Sequence, residues 1–120
     1  MADGKVRGIR GATTVKNDLP AEIYCATQEL LFEMIALNSI NSEDVAAAFF
    51  SMTPDLKSAF PAKAARLMGW ETVPLFCQVE IDVPESLPLC IRILILLNTT
   101  TEQGAIRHVY LRASTILRQI

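Results

Sequence analysis

The segment Leu89-Cys90-Ile91-Arg92-Ile93-Leu94-Ile95-Leu96-Leu97 is the most apolar stretch of the chain, and it contains one charged residue, Arg92. Because side chains alternate between the faces of a strand, Arg92 shares one face with leucines and a cysteine, and isoleucines occupy the other face. Both faces are apolar, so the segment predicts a strand that is buried on both sides. A guanidinium keeps its charge on burial, and an unpaired buried charge is costly. We therefore expect an anion beside Arg92, either a carboxylate of the protein or a ligand.

The composition predicts one small, apolar domain that associates with copies of itself. The chain has 120 residues, which we interpret as a single domain over residues 1–120, and 51% of them are hydrophobic. The mean hydropathy is +0.30, which is high for so short a chain. A domain of this size leaves much apolar surface exposed, and self-association covers such surface. We therefore expect a homo-oligomer.

The charges and cysteines argue against several classes of partner and site. A net charge of −2 and scattered basic residues argue against nucleic acid. No apolar run reaches the ~18 residues that a membrane span needs, and we expect no signal peptide because the N-terminus leads directly into a strand pattern. Three cysteines without metal or redox spacing and a single histidine argue against a disulfide framework and a zinc site. We expect a cytoplasmic protein without a metal.

Apolar periodicity and turn signals predict an α+β fold. Period-2 patterns predict strands at residues 5–15, 45–52, 73–80, 90–97 and 106–111. Helical spacing after Pro20 predicts one long helix that ends near Asn38, and Pro61 and Gly69 bound a predicted short helix over residues 61–68. Together these elements predict a mixed β-sheet packed on one long helix, with short helices beside it.

Several charged or polar residues lie where a surface charge is unusual, and each also has a structural interpretation. Arg10 lies in the middle of a predicted strand, and Glu80 ends an apolar one. Arg92 and Glu80 could form a structural ion pair, which contributes little net stability once desolvation is counted. The default structural interpretations are a solvated edge for Lys63 and Arg66, small core residues for Cys77 and Cys90, a hydrogen-bonded residue for His108 and a core aromatic for Tyr110.

The chain has no motif for nucleotide binding, nucleophilic catalysis or acid–base catalysis. It has no P-loop, no G-x-G-x-x-G, no Ser/His/Asp order and no carboxylate pair arranged for proton transfer. What remains is a set of several cationic donors with one carboxylate. Such a set favours a small polyanionic ligand, and a reaction that depends on electrostatic placement more than on proton transfer.

The family signal lies in three segments, VRGIRGATTV at residues 6–15, TPDL at 53–56 with AFPAKA at 59–64, and IRHVYL at 106–111. They resemble the monofunctional, trimeric chorismate mutases of the AroH class, in the same order and spacing apart from a one-residue deletion before Gly69. The resemblance runs from Lys5 to about Arg118. It implies one chorismate mutase domain, with three subunits forming a pseudo α/β barrel and sites at the subunit interfaces.

The resemblance also implies a reaction, the conversion of chorismate to prephenate. This is a [3,3] pericyclic rearrangement of the shikimate pathway on the route to phenylalanine and tyrosine, and the family uses no cofactor and no covalent intermediate. Chorismate is a dianion, and its breaking ether bond leaves negative charge on oxygen. The implied substrate therefore agrees with the cationic set, and the implied partners are chorismate, prephenate and two further copies of the chain.

By the same resemblance, the residues of this set have individual roles. Arg92 and Glu80 match catalytic residues. Arg92 matches an arginine that contacts both the ether oxygen and a substrate carboxylate, and Glu80 matches a carboxylate that accepts a hydrogen bond from the ring hydroxyl. Arg10 and Tyr110 match residues that bind substrate carboxylates, and Cys77 matches a cysteine at the same wall. The residues implied to reach the pocket from the neighbouring subunit are Phe60, Ala62, Lys63 and Arg66.

Two places depart from the family pattern. Phe76 stands where a small hydroxyl residue such as threonine is expected, so its implied contribution to substrate binding is through the backbone. The C-terminal tail is short, and Leu117 and Arg118 are expected to help close the site. Two alternatives remain open, a trimeric imine deaminase-like enzyme, whose own motifs are not seen here, and a trimeric module that binds small anions without chemistry.

Overall fold

A computed structural model describes residues 4–119, and within them the chain forms five strands and two α-helices. The strands are β1 (Lys5–Thr14), β2 (Val45–Met52), β3 (Leu75–Val79), β4 (Cys90–Thr99) and β5 (Val109–Tyr110). The helices are α1 (Pro20–Asn38) and α2 (Ala62–Leu67), and 3₁₀ segments lie at Ser42–Asp44, Gln103–Ala105 and Arg112–Gln119. None of the described helices is long and apolar enough to span a membrane.

The strands form one mixed sheet in the order β3-β2-β4-β1-β5. β4 is central and runs antiparallel to both of its neighbours, β1 and β2. β3 and β5 run parallel to β2 and β1, respectively. The mixed sheet and the long helix packed on it confirm the predicted α+β class.

Two strands are shorter than the sequence pattern indicated. β3 begins at Leu75, directly after Pro74, which has no N–H to donate to a ladder. β5 is limited to two residues because the peptide of Arg107 pairs with the side-chain amide of Asn38 instead. Both of these hydrogen bonds, to the carbonyl and from the N–H of Arg107, are 2.9 Å long. The strand predicted over residues 106–111 therefore exists in its second half only.

The helices cover one face of the sheet. Buried residues of α1, including Leu30 and Met34, pack in one cluster with Ile93 and Ile95 of β4. On the opposite face of β4, Arg92 is exposed and Leu94 keeps 37% of its accessible surface. The prediction that this strand is buried on both sides is wrong for the single chain. Alternation identifies the residues that share a face, but not whether a second layer covers them.

Gly11 allows α1 to lie close to β1. A Cβ atom at this position would collide with the sulfur of Met34 and would lie 3.1 Å from Cδ1 of Leu30. Both side chains are fully buried, so neither can move aside into solvent. The missing side chain at residue 11 therefore sets the spacing between helix and sheet.

Gly11→Ala is expected to destabilise the protein by about 1–3 kcal/mol, because the added methyl group overpacks the core. Guanidinium chloride unfolding measures this at a fixed protein concentration, since association changes the apparent stability. Gly104→Ala is the matched control, because a Cβ at residue 104 meets nothing within 4 Å. Equal stability of the two variants would contradict the close packing at Gly11.

Asp18 holds the loop that leads to α2. Its carboxylate accepts the N–H of Lys57 at 3.1 Å and the N–H of Ser58 at 3.0 Å. The hydrogen bond from the Ser58 side chain is the largest cause of a lowered pKa at Asp18. Burial opposes this shift, and the two backbone N–H groups add to it. The ionised carboxylate therefore fixes the path of the chain toward Phe60.

Asp18→Asn is expected to lower the free energy of unfolding at neutral pH, since an amide oxygen is a weaker acceptor than a carboxylate. A carboxyl whose pKa is lowered by folding adds stability above its unfolded pKa, and that stability is lost as the pH falls through the folded pKa. Wild type and variant should therefore converge as the pH drops below 3.8, the ordinary value. The comparison uses the free energies of unfolding of wild type and Asp18→Asn, measured from neutral pH to below pH 3.8. Asp82→Asn, at an exposed position, is the control. A difference that is independent of pH would exclude this role of the charge.

Candidate functional site

Arg92 lies at the centre of a row of residues that crosses all five strands. Strand pairing places Arg92 opposite Ala12 on β1 and opposite Ser51 on β2. The row continues from Ser51 to Gln78 on β3, and from Ala12 to Tyr110 on β5. Residues that pair directly across a sheet point to the same face. The pairing therefore brings these polar groups together on the face that no helix covers.

A cavity of ≈ 620 Å³ opens on this face. This volume lies within the range of about 300–1,000 Å³ that is usual for small-molecule sites. The cationic part of its wall is formed by Arg10 and Arg92, and Tyr110 adds a hydroxyl group. Arg10 pairs with Leu94, so it lies on the same face as Arg92, one row farther along. The small side chain of Ala12 separates Arg92 from Tyr110 in the row and leaves room between them.

Glu80 stands beside Arg92 at the edge of the cavity. Nε of Arg92 lies 3.5 Å from Oε1 of Glu80, and the same oxygen accepts a hydrogen bond of 2.8 Å from the Ser51 hydroxyl. The backbone N–H of Glu80 donates to the carbonyl of Met52 at 2.8 Å, which anchors the residue beyond the end of β3. The ion pair of the structural interpretation therefore exists, and Ser51 of β2 holds its carboxylate in place.

This ion pair is loose and open to solvent. The side chain of Arg92 is 44% exposed and that of Glu80 is 25% exposed. A distance of 3.5 Å is longer than the separation of about 2.7–2.9 Å that is typical of strong charged hydrogen bonds. Such a pair contributes about 0–1 kcal/mol to stability. Its geometry therefore explains little of the fold, and it leaves both groups accessible to a ligand.

The two cysteines near the site lie on opposite faces of the sheet, Cys77 on the helix side and Cys90 on the side of Arg92. Cys90 is buried, and burial raises the pKa of its thiol while the neighbouring charge of Arg92 partly opposes this. Cys77 pairs with the buried Phe50, and its side chain packs against the main hydrophobic cluster. Neither arrangement favours a thiolate at the cavity. In the single chain, Cys77 does not line the cavity with its side chain.

Four of the residues expected at the site lie elsewhere on the chain. They belong to the α2 region, which packs on α1 and β3, and none of them lines the cavity at Arg92. Phe60 is 71% exposed, and Nζ of Lys63 lies 5.6 Å from the centre of the Tyr24 ring. Arg66 is exposed, whereas Ala62 is buried in the core of its own chain. The single chain therefore does not bring this group to the cavity that it forms.

The remaining expected residues lie at the border of the cavity. Leu117, in the C-terminal 3₁₀ segment, lines it directly, and Arg118 is exposed next in the chain. Phe76 points to the Arg92 face, where its ring meets Phe49 edge to face at 6.1 Å between centroids. Phe49 lines the cavity, so Phe76 extends its apolar wall outward from the centre.

Sequence reasoning missed Ser51 and Gln78. Ser51 is the only polar residue of β2, and this isolated polar position was the one signal in the sequence for a role at the site. Its hydrogen bond to Glu80 depends on strand register. Gln78 lies between the exposed Phe76 and Glu80 in sequence and gave no signal of its own. Within residues 4–119, no group of three or more His, Cys, Asp or Glu is placed to hold a metal ion. The cavity therefore offers cationic donors and hydroxyl groups, and Glu80 supplies one carboxylate acceptor next to two lining residues, Ser51 and Arg92. This set suits an anion that also has a hydroxyl group.

Comparisons with known proteins give matches over nearly the whole chain. The family model described as chorismate mutase type I matches residues 6–119. Chorismate mutase AroH of Thermus thermophilus is 54% identical over 114 residues, which cover 94% of this chain and 93% of that protein. Chorismate mutase AroH of Bacillus subtilis (strain 168) is 47% identical over 114 residues, which cover 94% of this chain and 90% of that protein.

A solved structure matches the fold as well. A chorismate mutase from Clostridium thermocellum superposes with a TM-score of 0.90 at 46% sequence identity, and the match covers 91% of this chain and 97% of that one. The likeness thus includes the central sheet and the strands that carry the cavity. The chain belongs to the chorismate mutase type I family.

Proposed function

We propose that the cavity at Arg92 binds chorismate and converts it to prephenate, as an isomerase of aromatic amino acid biosynthesis. The observation that carries this proposal is the placement of Arg10, Arg92 and Tyr110 around one cavity, with Glu80 held at its edge. Two guanidinium groups match a dianion in number and charge. A single carboxylate acceptor matches the one ring hydroxyl of the substrate.

The reaction needs orientation and charge stabilisation, because a pericyclic rearrangement moves no proton. Binding both carboxylates of chorismate would hold the reactive diaxial conformer, which supplies the effect of proximity. Arg92 would then donate to the ether oxygen as the bond breaks and negative charge develops there. Its position on the central strand keeps the guanidinium in place before the substrate arrives, so little reorganisation is needed in the transition state.

Glu80 has two partners in succession in this proposal. In the structure it lies 3.5 Å from Arg92 and accepts a hydrogen bond from Ser51. With substrate, the ring hydroxyl donates to Glu80, and the ether oxygen takes the place of Glu80 beside the guanidinium. Because the resting pair is worth little, opening it removes little binding energy. Ser51 keeps the carboxylate oriented in both states.

We also propose that three copies of the chain complete the site, forming a pseudo α/β barrel with cavities at the subunit interfaces. Large apolar side chains are exposed, and self-association would cover them, among them Phe76 at 58%, Val79 at 74% and Ile81 at 79% exposure. Phe60, Lys63 and Arg66 are exposed and do not reach the cavity of their own chain, so they are available to the cavity of a neighbour. A cover of this kind would also remove water from Arg92.

Phe76, Cys77, Leu117 and Arg118 complete the proposed substrate wall, with Cys77 and Phe76 contributing through backbone and shape. Leu117 and Arg118 would close the open side. No cofactor has a step in this mechanism. We place the enzyme in the cytoplasm, because its three cysteines are free and a reducing compartment keeps them so.

Arg92→Ala and Arg92→Lys are both expected to lower kcat by about 10²–10³-fold, the usual loss when one preorganised donor to a developing oxyanion is removed. Lysine should fail because its point charge lacks the planar fork of a guanidinium. The fall in chorismate absorbance, without added metal or cofactor, measures kcat. Size-exclusion chromatography should show an unchanged trimer.

The matched control for Arg92→Lys is Arg7→Lys, the same change on β1. Arg7 binds the Thr101 carbonyl and Gln103, away from the cavity lining, and its variant should keep kcat. Near wild-type turnover in Arg92→Lys would contradict the role of Arg92. Binding of chorismate without any decay in the wild-type protein would favour an anion-binding module.

Cys77→Ser is expected to keep most of kcat, because the thiol packs toward the core and forms no bond to substrate in this mechanism. The exposed Cys25→Ser serves as control for the loss of a thiol. Steady-state rates, with a thermal unfolding curve for each variant, make the comparison. Complete loss of activity in a folded Cys77→Ser protein would indicate a nucleophilic mechanism.

A further inference from the structure

The free edge of β1 has an unusual hydrogen-bond partner next to the cavity. β5 pairs with β1 only at Gly11 and Ala12, so the ladder does not extend to Arg10. Instead, the backbone N–H of Arg10 donates to Nδ1 of His108 at 3.0 Å. The imidazole thus takes the place that the carbonyl of a longer strand would have. His108 thus binds the main chain of Arg10, a residue that lines the cavity.

The backbone of His108 is held on both sides. Before it, the Asn38 amide pairs with both polar groups of the Arg107 peptide, and also donates to the Met34 carbonyl at 3.0 Å. After it, Val109 and Tyr110 pair with β1. The imidazole is therefore fixed between the end of α1 and the strand that carries Tyr110.

The hydrogen bond determines the protonation state of His108. A backbone N–H can only donate, so Nδ1 must accept through its lone pair, and the proton of the neutral ring must be on Nε2. Burial lowers the pKa of His108, and the positive charge of Arg10 lowers it further. Both effects favour the neutral ring that this contact requires.

We infer that His108 is a positioning residue for substrate binding, which acts by fixing the main chain of Arg10 relative to Tyr110. Arg10 and Tyr110 are on adjacent strands, and both line the cavity. If the N–H of Arg10 loses its acceptor, the strand edge shifts or binds water, and the guanidinium moves relative to the phenol. This inference rests on the proposed role of Arg10 in binding a carboxylate of chorismate.

A double-mutant cycle tests whether His108 acts through Arg10. His108→Leu is expected to lower kcat/KM for chorismate by about 5- to 100-fold, mainly through KM, because the N–H of Arg10 is left without its acceptor. His108→Asn should recover activity to within about threefold of wild type, since its Oδ1 can occupy the place of Nδ1 and accept the same hydrogen bond. In an Arg10→Ala background, His108→Leu should lower kcat/KM by less than about twofold, because the side chain to be positioned is gone.

The outcomes separate this inference from the proposal on which it rests. If Arg10→Ala lowers activity and His108→Leu lowers it equally in both backgrounds, His108 is merely structural and the inference is overturned alone. Poor activity of His108→Asn, similar to that of His108→Leu, also overturns it. If Arg10→Ala keeps wild-type activity, the site role of Arg10 is wrong and the inference falls with it.

A measurement on the wild-type protein tests whether Nδ1 of His108 accepts the hydrogen bond from Arg10, even if His108→Leu fails to fold. The chain has a single histidine, so ¹⁵N-labelled protein without a histidine tag gives one set of imidazole signals. At neutral pH we expect a neutral ring with the proton on Nε2 and an unprotonated, hydrogen-bonded Nδ1. A proton on Nδ1 would exclude the contact and overturn the inference.

Discussion

A permanent positive charge on the central strand is the constraint on which the rest of this structure depends. Arg92 cannot turn toward the helices, because that face of β4 is packed with isoleucine side chains against α1. Alternation therefore directs the guanidinium to the uncovered face, and the register of five strands decides which groups surround it. Ser51 orients the carboxylate of Glu80 that pairs with Arg92, and the distance between this carboxylate and the guanidinium is too long for a strong hydrogen bond. The result is a charge that is placed by the sheet and only weakly neutralised.

This weak neutralisation links folding to the proposed chemistry. A tight buried ion pair would oppose substrate entry, because separating it leaves two unpaired charges. The pair observed here is half-exposed, so substrate can replace each partner without a large loss. The sheet sets the position of Arg92 on β4 before any ligand binds, and in the proposed mechanism the transition state would meet a donor that is already in place.

The uncovered face also links the proposed assembly to the proposed catalysis. The same face carries Arg92 and the exposed apolar residues Leu94 and Phe76. Covering it with a second subunit would bury apolar surface and exclude water from the guanidinium in one step. Electrostatic interactions strengthen as water is excluded, so Arg92 would act more strongly in the assembly than in an isolated chain. The exposed cationic side chains near α2, Lys63 and Arg66, would add positive charge to a cavity that is proposed to bind a dianion.

The sequence predicted the α+β class, the mixed sheet and nearly all of the elements, because apolar alternation and the turn residues are local signals. It also predicted that Arg92 needs an anion, and Glu80 was named as one of the two candidates. Burial of β4 on both sides was wrong, since a pattern within one strand carries no information about the layers above it.

Other features depend on contacts between distant segments. β5 is short because Asn38, far away in sequence, binds the Arg107 peptide. Ser51 and Gln78 join the site through strand register, which the sequence does not encode locally. Likewise, the inward orientation of Cys77 follows from its pairing with the buried Phe50. Arg10, Arg92 and Tyr110, which the family resemblance implies as site residues, line one cavity, and their placement on one face required the three-dimensional structure.

A crystal structure of the protein with a dianionic mimic of the transition state bound would test the central claim most directly. The account predicts that the mimic lies between Arg92 and Glu80, with the guanidinium on the oxygen that represents the breaking ether and the carboxylate on the ring hydroxyl. The two side chains should then be separated by more than about 4 Å, the usual limit of an ion pair. A mimic bound elsewhere, with the Arg92–Glu80 pair still closed at 3.5 Å, would contradict the account.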